Sequence, residues 1–491
     1  MTDISDDIVN GDNAVEKVDS NINLSHSLLR GQLKFVRTIA LSVGIQGPVA
    51  GVIVGPAVLA GLVGGAGALA YLLGFIAMAF VAFAFIIFSK EFNSSGSIYT
   101  FNGSSLGPTY GFVSAWILLL VYISFAAGVY ASTADITQNF LSSFGVNIWW
   151  VWIALAGFFL TMIFAYKSIK LSSILIFTLE ALAVGLITIV GIIVLIKGGY
   201  RHNAWSFKPF KPNGISISIL GLGVVNAFSA FSGFEGATTL GEESVRSTRT
   251  IPKAVFWSLL GSSFIYIVFT WIANNAYSST SALAHASAPF VTIAANNVGS
   301  WMGNLINFAG VISSFGAQLA CINAANRIIF ALGREVSPEG TGILSQLTRT
   351  HRRYRSPIGA LVVSGGLSLA GLLMFSMESS PIRALTIIVE LGAYLIIVAY
   401  LMTVVAALVW VWKHGRNPVK LTILFVGIGI LAYVLYDTFF PFPSAPFNLV
   451  VFSAIACVGA GIVVALLPKV RSKLMASKLI LSVQNLTGRL D

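Results

Sequence analysis

Charge is scarce in this chain. Asp, Glu, Lys and Arg make up 10% of its 491 residues, against about 25% in soluble globular domains, while 56% of the residues are hydrophobic. A soluble fold of this size could not hide so much apolar surface, so lipid is the expected solvent. Cysteine is nearly absent. Cys321 and Cys457 both lie in apolar runs without CxxC or CxxH spacing, which excludes a disulfide framework and a cysteine metal site. The five histidines are scattered, mostly in connecting segments, and no HExxH or phosphate-binding glycine loop occurs. An enzyme is therefore not expected, and no catalytic residue, metal ligand or cofactor is assigned. The basic excess, a net +11, sits between long apolar runs, where it orients a membrane protein better than it binds nucleic acid.

What the chain does have is a series of long uncharged stretches. A spanning helix needs about 20 apolar residues. Thr38 to Ser89 carries no charge at all, which is enough for two spans turning at Gly64-Gly65. Further stretches run over 110–134, 148–166, 171–196, 215–240, 254–277, 300–330, 357–377, 384–412, 420–437 and 446–468. The expectation is an all-α integral membrane protein of about twelve helices. Continuous runs exclude a membrane barrel, whose strands alternate apolar and polar residues. With the amino terminus in the cytosol, most basic residues fall on the cytosolic side, as in Arg334, Arg349, Arg352, Arg353 and Arg355. One segment dissents, with Lys197, Arg201, Lys208 and Lys211 outside. Both termini are expected in the cytosol, and the membrane is expected to be the cytoplasmic one. Residues 1–33, rich in Asp and lacking the order of a signal peptide, read as a disordered tail, and 469–491 as a second cytosolic tail.

Two of these spans contain breaks. The first reads Ser42-Val43-Gly44-Ile45-Gln46-Gly47-Pro48-Val49-Ala50-Gly51, with glycine and proline where a helix should continue. The sixth reads Ala230-Phe231-Ser232-Gly233-Phe234-Glu235-Gly236-Ala237, adding a carboxylate at membrane depth. The breaks lie roughly 185 residues apart. Interruptions in matching positions of two halves point to a transporter site. Half-helix amino ends suit a carboxylate, and carboxyl ends suit an ammonium or a cation. Glu180, alone among uncharged neighbours, is costly to ionise there and is a candidate proton carrier, or else a structural carboxyl. Glu390 is read as pairing with Arg383. Glu242 and Glu243 face Arg246 and Arg249, as an inner gate or a solvated cluster. Trp149, Trp150 and Trp152 read as an interfacial belt. The run His351-Arg352-Arg353-Tyr354-Arg355 reads as an orientation signal in contact with anionic membrane lipid.

Three segments carry a resemblance. Phe231-Ser232-Gly233-Phe234-Glu235-Gly236-Ala237 is followed by Leu240-Gly241-Glu242-Glu243 and Arg249-Thr250-Ile251-Pro252-Lys253-Ala254. The second is Ala320-Cys321-Ile322-Asn323-Ala324-Ala325-Asn326-Arg327 with Phe330-Ala331-Leu332-Gly333-Arg334-Glu335. The third is Ser97-Ile98-Tyr99 with Leu106-Gly107-Pro108 and Gly111-Phe112. On these the chain resembles the amino acid–polyamine–organocation (APC) permeases. The resemblance implies a LeuT-like 5+5 inverted repeat, with repeats at 34–200 and 201–413 and two further helices over 414–468. It implies a secondary transporter for an amino acid or related amine, with polyamine transport or amino-acid exchange as alternatives. A channel would need a carbonyl filter or a charged ring, and neither is seen. Implied substrate positions are Gln46, Gly47, Val49, Ala50 and Gly51 in the first span. In the sixth they are Ser229, Phe231, Ser232, Gly233 and Phe234, with Phe231 or Phe234 as a gate. Glu235 matches a proton-sensing carboxylate, and Ser313 and Ser314 match a sodium position. The chain departs from the family at Val49-Ala50-Gly51, which lacks a hydroxyl found in many members, and at Glu180, near where some members place a lysine. Proton or sodium is thus the expected coupling partner, and the sequence sets no oligomeric state.

Overall fold

The computed structural model describes residues 28, 30–200, 204–212, 214–336, 343–378, 380–440 and 442–476. Most of the expected amino-terminal tail, the carboxyl tail beyond 476, and Arg201 of the dissenting loop therefore lie outside the described residues. The described residues are mostly helical and contain no strand beyond two isolated β-bridges.

The helices are α1 Phe35–Gln46, α2 Pro48–Val63, α3 Gly67–Glu91, α4 Ile98–Leu106, α5 Pro108–Ser142, α6 Trp150–Tyr166 and α7 Ile169–Lys197. They continue with α8 Ile217–Phe231, α9 Ser247–Ala276, α10 Thr280–Ala284, α11 Pro289–Asn297 and α12 Ser300–Val336. The last are α13 Ile358–Met374, α14 Pro381–Lys413, α15 Pro418–Phe439, α16 Phe447–Leu466 and α17 Pro468–Met475. Proline opens many of them (Pro48, Pro108, Pro289, Pro381, Pro418). It costs nothing at a first turn, where the missing N–H had no helical acceptor.

Among the described residues, nine helical stretches are long and apolar enough to cross a membrane. The first, Phe35–Glu91, has 57 residues, far more than the ~20 that span the hydrocarbon. It bends at a 3-10 turn, Gly64–Ala66, so α1–α2 and α3 form separate arms. Two more apolar helices, α6 and α13, have 17 residues each. The expected dozen crossings requires the bent stretch to count twice and both short helices to cross. Large apolar side chains face outward, including Ile196 at 80%, Phe425 at 70% and Phe264 at 65% exposed, which is the surface lipid would cover. The indoles of Trp149 and Trp152 are also outward, but Trp150 is buried at 3% and belongs to the core.

Helix α1 sits at the centre, packed among α7, α9 and α12. It also touches the 3-10 segment Phe234–Leu240 that follows α8, while α2 packs on α8. The halves of the two broken spans therefore cross at their breaks. Helix α5 lies against α12 and α14, and α8 lies against α3.

The end of the bundle beyond Leu240 is shut by polar contacts. The strand-like segment 31–33 pairs with 242–245: Gln32 N–H donates to Glu243 O at 2.8 Å and Val245 N–H donates to Leu33 O at 2.9 Å. Arg327 of α12 meets Glu243 at 2.8 Å with both side chains buried. Arg334 meets Glu242 at 2.5 Å, and Ser95 Oγ donates to the same carboxylate at 2.9 Å. Burial by itself would raise the Glu242 carboxyl, but the Arg334 guanidinium and the Ser95 bonds hold it below the usual glutamate range. Both acids thus turn away from Arg246 and Arg249, the partners expected from sequence proximity. The bases of α12 reach them because the 3-10 segment packs on that helix. Likewise Arg383 pairs with Glu378 at 3.1 Å instead of Glu390.

Removing one member of a buried ion pair strands the other charge. Arg327→Ala should cost about 3–5 kcal/mol, read as a lowered unfolding midpoint of the detergent-purified protein. Arg327→Met combined with Glu243→Leu should cost much less. Equal losses in the two variants would mean that packing, not charge, is what the pair supplies.

Candidate functional site

The first interruption is one residue wide. Gly47 takes φ 47° and ψ 54°, and its N–H donates to Val43 O and Gly44 O at 3.0 Å, closing α1 with a left-handed cap. Pro48 then starts α2. The first turn of a helix normally leaves N–H groups without partners, and here each has an assigned fate. Pro48 has none. Val49 N–H donates to Glu180 Oε1 of α7 at 3.3 Å. Ala50 N–H donates to Ser313 Oγ of α12 at 3.2 Å. Gly51 N–H returns to Gly47 O at 3.0 Å. A carboxylate at this half-helix amino end also faces the positive pole of the helix.

The second interruption is wider. Helix α8 stops at Phe231, Gly233 takes φ 108°, and the chain resumes as the 3-10 segment. The two breaks bond to each other. Gln46 Nε2 donates to Phe231 O at 3.1 Å, the last carbonyl of α8. Ser42 Oγ donates to Phe234 O at 2.7 Å and accepts from Ala237 N–H at 2.8 Å. Ser262 Oγ of α9 donates to Gln46 Oε1 at 2.9 Å, and Tyr266 OH donates to Gln46 O at 3.2 Å. Gly233 allows the approach: a Cβ there would lie 2.3 Å from Ile45 Cγ2.

Glu235 is fully buried next to this joint. Its carboxylate accepts from Tyr122 OH at 2.8 Å, Tyr400 OH at 2.5 Å and Gly233 N–H at 3.0 Å. Among the described residues no base pairs with it. A ring cluster forms the neighbouring wall. Tyr71 stacks on Tyr266 at 5.0 Å between centroids, and Phe231 lies 5.6 Å from Tyr266. Gly51 lets Tyr266 lie on α2, since a Cβ there would come 2.0 Å from its hydroxyl.

The fold gathers most residues singled out in the sequence. Gln46, Gly47, Phe231, Ser232, Gly233, Phe234 and Glu235 lie at the joint. Val49, Ala50, Glu180 and Ser313 form the cap on the other side of α1–α2. Phe234 and Phe231 are both buried, Phe234 against Phe85 and Tyr400. Ser314 is buried with a hydroxyl that has no partner among the described residues, and Glu180 Oε2 likewise has none among them. Ser229 stays apart, its hydroxyl donating to Val225 O of its own helix. The sequence reading missed Ser42, Tyr122, Ser262, Tyr266 and Tyr400. A signal existed for the tyrosines: a phenol deep in an apolar span needs a hydrogen-bond partner, and Glu235 was the conspicuous acceptor.

Similarity to known proteins extends over nearly the whole chain. The sequence pattern of the family described as "Amino acid permease" matches residues 33–481. The branched-chain amino acid permease BcaP of Bacillus subtilis is 24% identical over 373 residues, 71% of this chain and 74% of that protein. The low-affinity putrescine importer PlaP of Escherichia coli is 24% identical over 315 residues, 64% and 68% respectively. The methylthioribose transporter of Bacillus subtilis is 23% identical over 416 residues, 80% and 83%.

A side chain at Gly233 would be strained by about 1–2 kcal/mol from its φ alone and would push Ile45 off the joint. Gly233→Leu should insert in the membrane with a lowered unfolding midpoint and lose solute binding, followed by ligand-induced thermal shift. Wild-type affinity in that variant would count against a site at this break.

Proposed function

This chain belongs to the amino acid permease family, and on that premise we propose that it carries a small amino acid or related amine across the cytoplasmic membrane by alternating access. It is a multi-pass secondary transporter, not an enzyme. One observation carries the substrate site: two helix interruptions meet, joined from Gln46 to Phe231 and from Ser42 to Phe234 and Ala237. Irregular backbone at membrane depth is tolerated only where protein or a cavity satisfies it. Paired interruptions near the midplane are where transporters of this kind hold their solute. In this reading Gln46 to Gly51 and Ser229 to Phe234 supply the contacts, largely through backbone, and Phe231 or Phe234 closes over the solute.

The architecture proposed is LeuT-like: repeats at 34–200 and 201–413, each opening with an interrupted helix, then two helices over 414–468. It gives twelve crossings with both ends cytosolic, because the basic residues concentrate on that side. The coupling group proposed first is Glu235, a buried carboxyl whose hydrogen bonds bridge the second break to α5 and α14. Glu180 is the second. Its free oxygen and the free hydroxyl of Ser314, with Ser313 beside the same cap, offer oxygen ligands for a proton or sodium. An organic cation or polyamine is the alternative substrate. It is favoured by the two carboxylates at the breaks, Glu180 and Glu235, neither bonded to a basic side chain among the described residues.

Two measurements test this. Proteoliposomes should show saturable uptake and counterflow of an amino acid or amine, with competition by putrescine separating the two substrate classes. Flux without saturation would indicate a channel. Glu235→Gln keeps the size and some hydrogen bonds but cannot titrate, so it should flatten the pH dependence of uptake. If only Glu180→Gln does so, the coupling role moves to the cap of α2, and if neither does, coupling to protons is wrong.

A further inference from the structure

A second concave site lies away from the joint, on the outside of the bundle where α1 and α9 begin. It is a cavity of about 660 Å³ lined by Lys34, Arg246, Arg249 and Lys253, with Phe35 and Trp257 beside them. That size falls in the range of small-ligand clefts. All four bases are exposed, and none forms an ion pair with an acid among the described residues. The acids nearest in sequence, Glu242 and Glu243, are already held by Arg334 and Arg327. Four like charges therefore converge on one hollow without internal compensation. Arg246 sits there in a left-handed conformation, φ 46°, at the turn into α9.

The hollow continues into an apolar track. Along α9 the outward positions are Arg249 and Lys253, then Phe256 and Trp257, Gly261 and Phe264, which are successive turns of one face. Nothing lies within 4 Å of where a Gly261 side chain would be, so the track has an open notch there. From Lys253 to Phe264 is roughly 16 Å of helix at 1.5 Å per residue, about half of the ~30 Å hydrocarbon core. A basic head cavity on top of one leaflet's length of apolar surface matches an amphiphile. A soluble phosphate or an acidic peptide would leave the lower part uncovered.

We propose that this cavity is a binding site for an anionic phospholipid, its phosphate among Lys34, Arg246, Arg249 and Lys253 and one acyl chain along Trp257, Gly261 and Phe264. Basic pockets between membrane helices on the cytosolic side recognise such headgroups. The bound lipid would bridge the start of the first interrupted helix to α9. This site is distinct from the His351–Arg355 run, which presents its bases on a turn before α13.

The test uses the full-length protein and two lipids of identical acyl chains, phosphatidylglycerol and phosphatidylcholine. Native mass spectrometry should show retained phosphatidylglycerol in preference to phosphatidylcholine, with inorganic phosphate failing to displace it. Arg249→Gln with Lys253→Gln should weaken retention about five-fold per charge removed, while Lys413→Gln with Lys420→Gln, two exposed bases outside this cavity, should change it little. A photoactivatable phosphatidylglycerol on the unmutated protein should label α9 between Arg249 and Phe264, which keeps the test valid if the double variant misfolds. Equal losses in both double variants would reduce the effect to diffuse surface attraction and overturn the site. Displacement by inorganic phosphate, or labelling elsewhere than α9, would overturn it as well.

Discussion

A peptide group without a partner costs several kcal/mol in hydrocarbon, and this chain stops two helices where that cost applies. The structure resolves it locally and completely at the first break. Gly47 closes α1 on its own carbonyls, Pro48 has no N–H to satisfy, and the next donors go to Glu180 and Ser313. At the second break the chain relies on the first. Gln46 caps the end of α8, and Ser42 stitches the 3-10 segment to α1. The second interruption is tolerated because the first lies across it.

That dependence links packing to motion. A net hydrogen bond contributes only about 1 kcal/mol, so the bonds at the joint can be exchanged for bonds to a solute at small net cost. The contacts that shut the end of the bundle are of another kind. Arg327 and Glu243 are buried together, and separating them exposes two charges that must find water. On the proposed reading, the weak bonds at the joint respond to the solute, and the strong pairs beyond Leu240 hold one face closed until that face hydrates.

Much of the site could be read from residue types. Glycine beside proline in an uncharged run marks a break because of backbone sterics, and Glu235 stands out because a carboxylate in lipid needs a reason. The partners could not be read so. Tyr122 and Tyr400 reach Glu235 across 113 and 165 residues of sequence. Glu242 and Glu243 were assigned to the nearest bases, Arg246 and Arg249, and the fold gave them instead to Arg334 and Arg327 of α12. Proximity along the chain failed because the turn after Leu240 directs the acids inward and the bases outward.

The amino-acid sequence by itself determined the solvent, the helical class and the places where two spans must stop, since hydrophobic run length and the geometry of glycine and proline act within a few residues. Only the tertiary structure decided which side chains serve the freed peptide groups, which bases neutralise the buried acids, and which remain uncompensated around an outer cavity. Those outcomes depend on distances between helices far apart in the chain, and no local pattern encodes them.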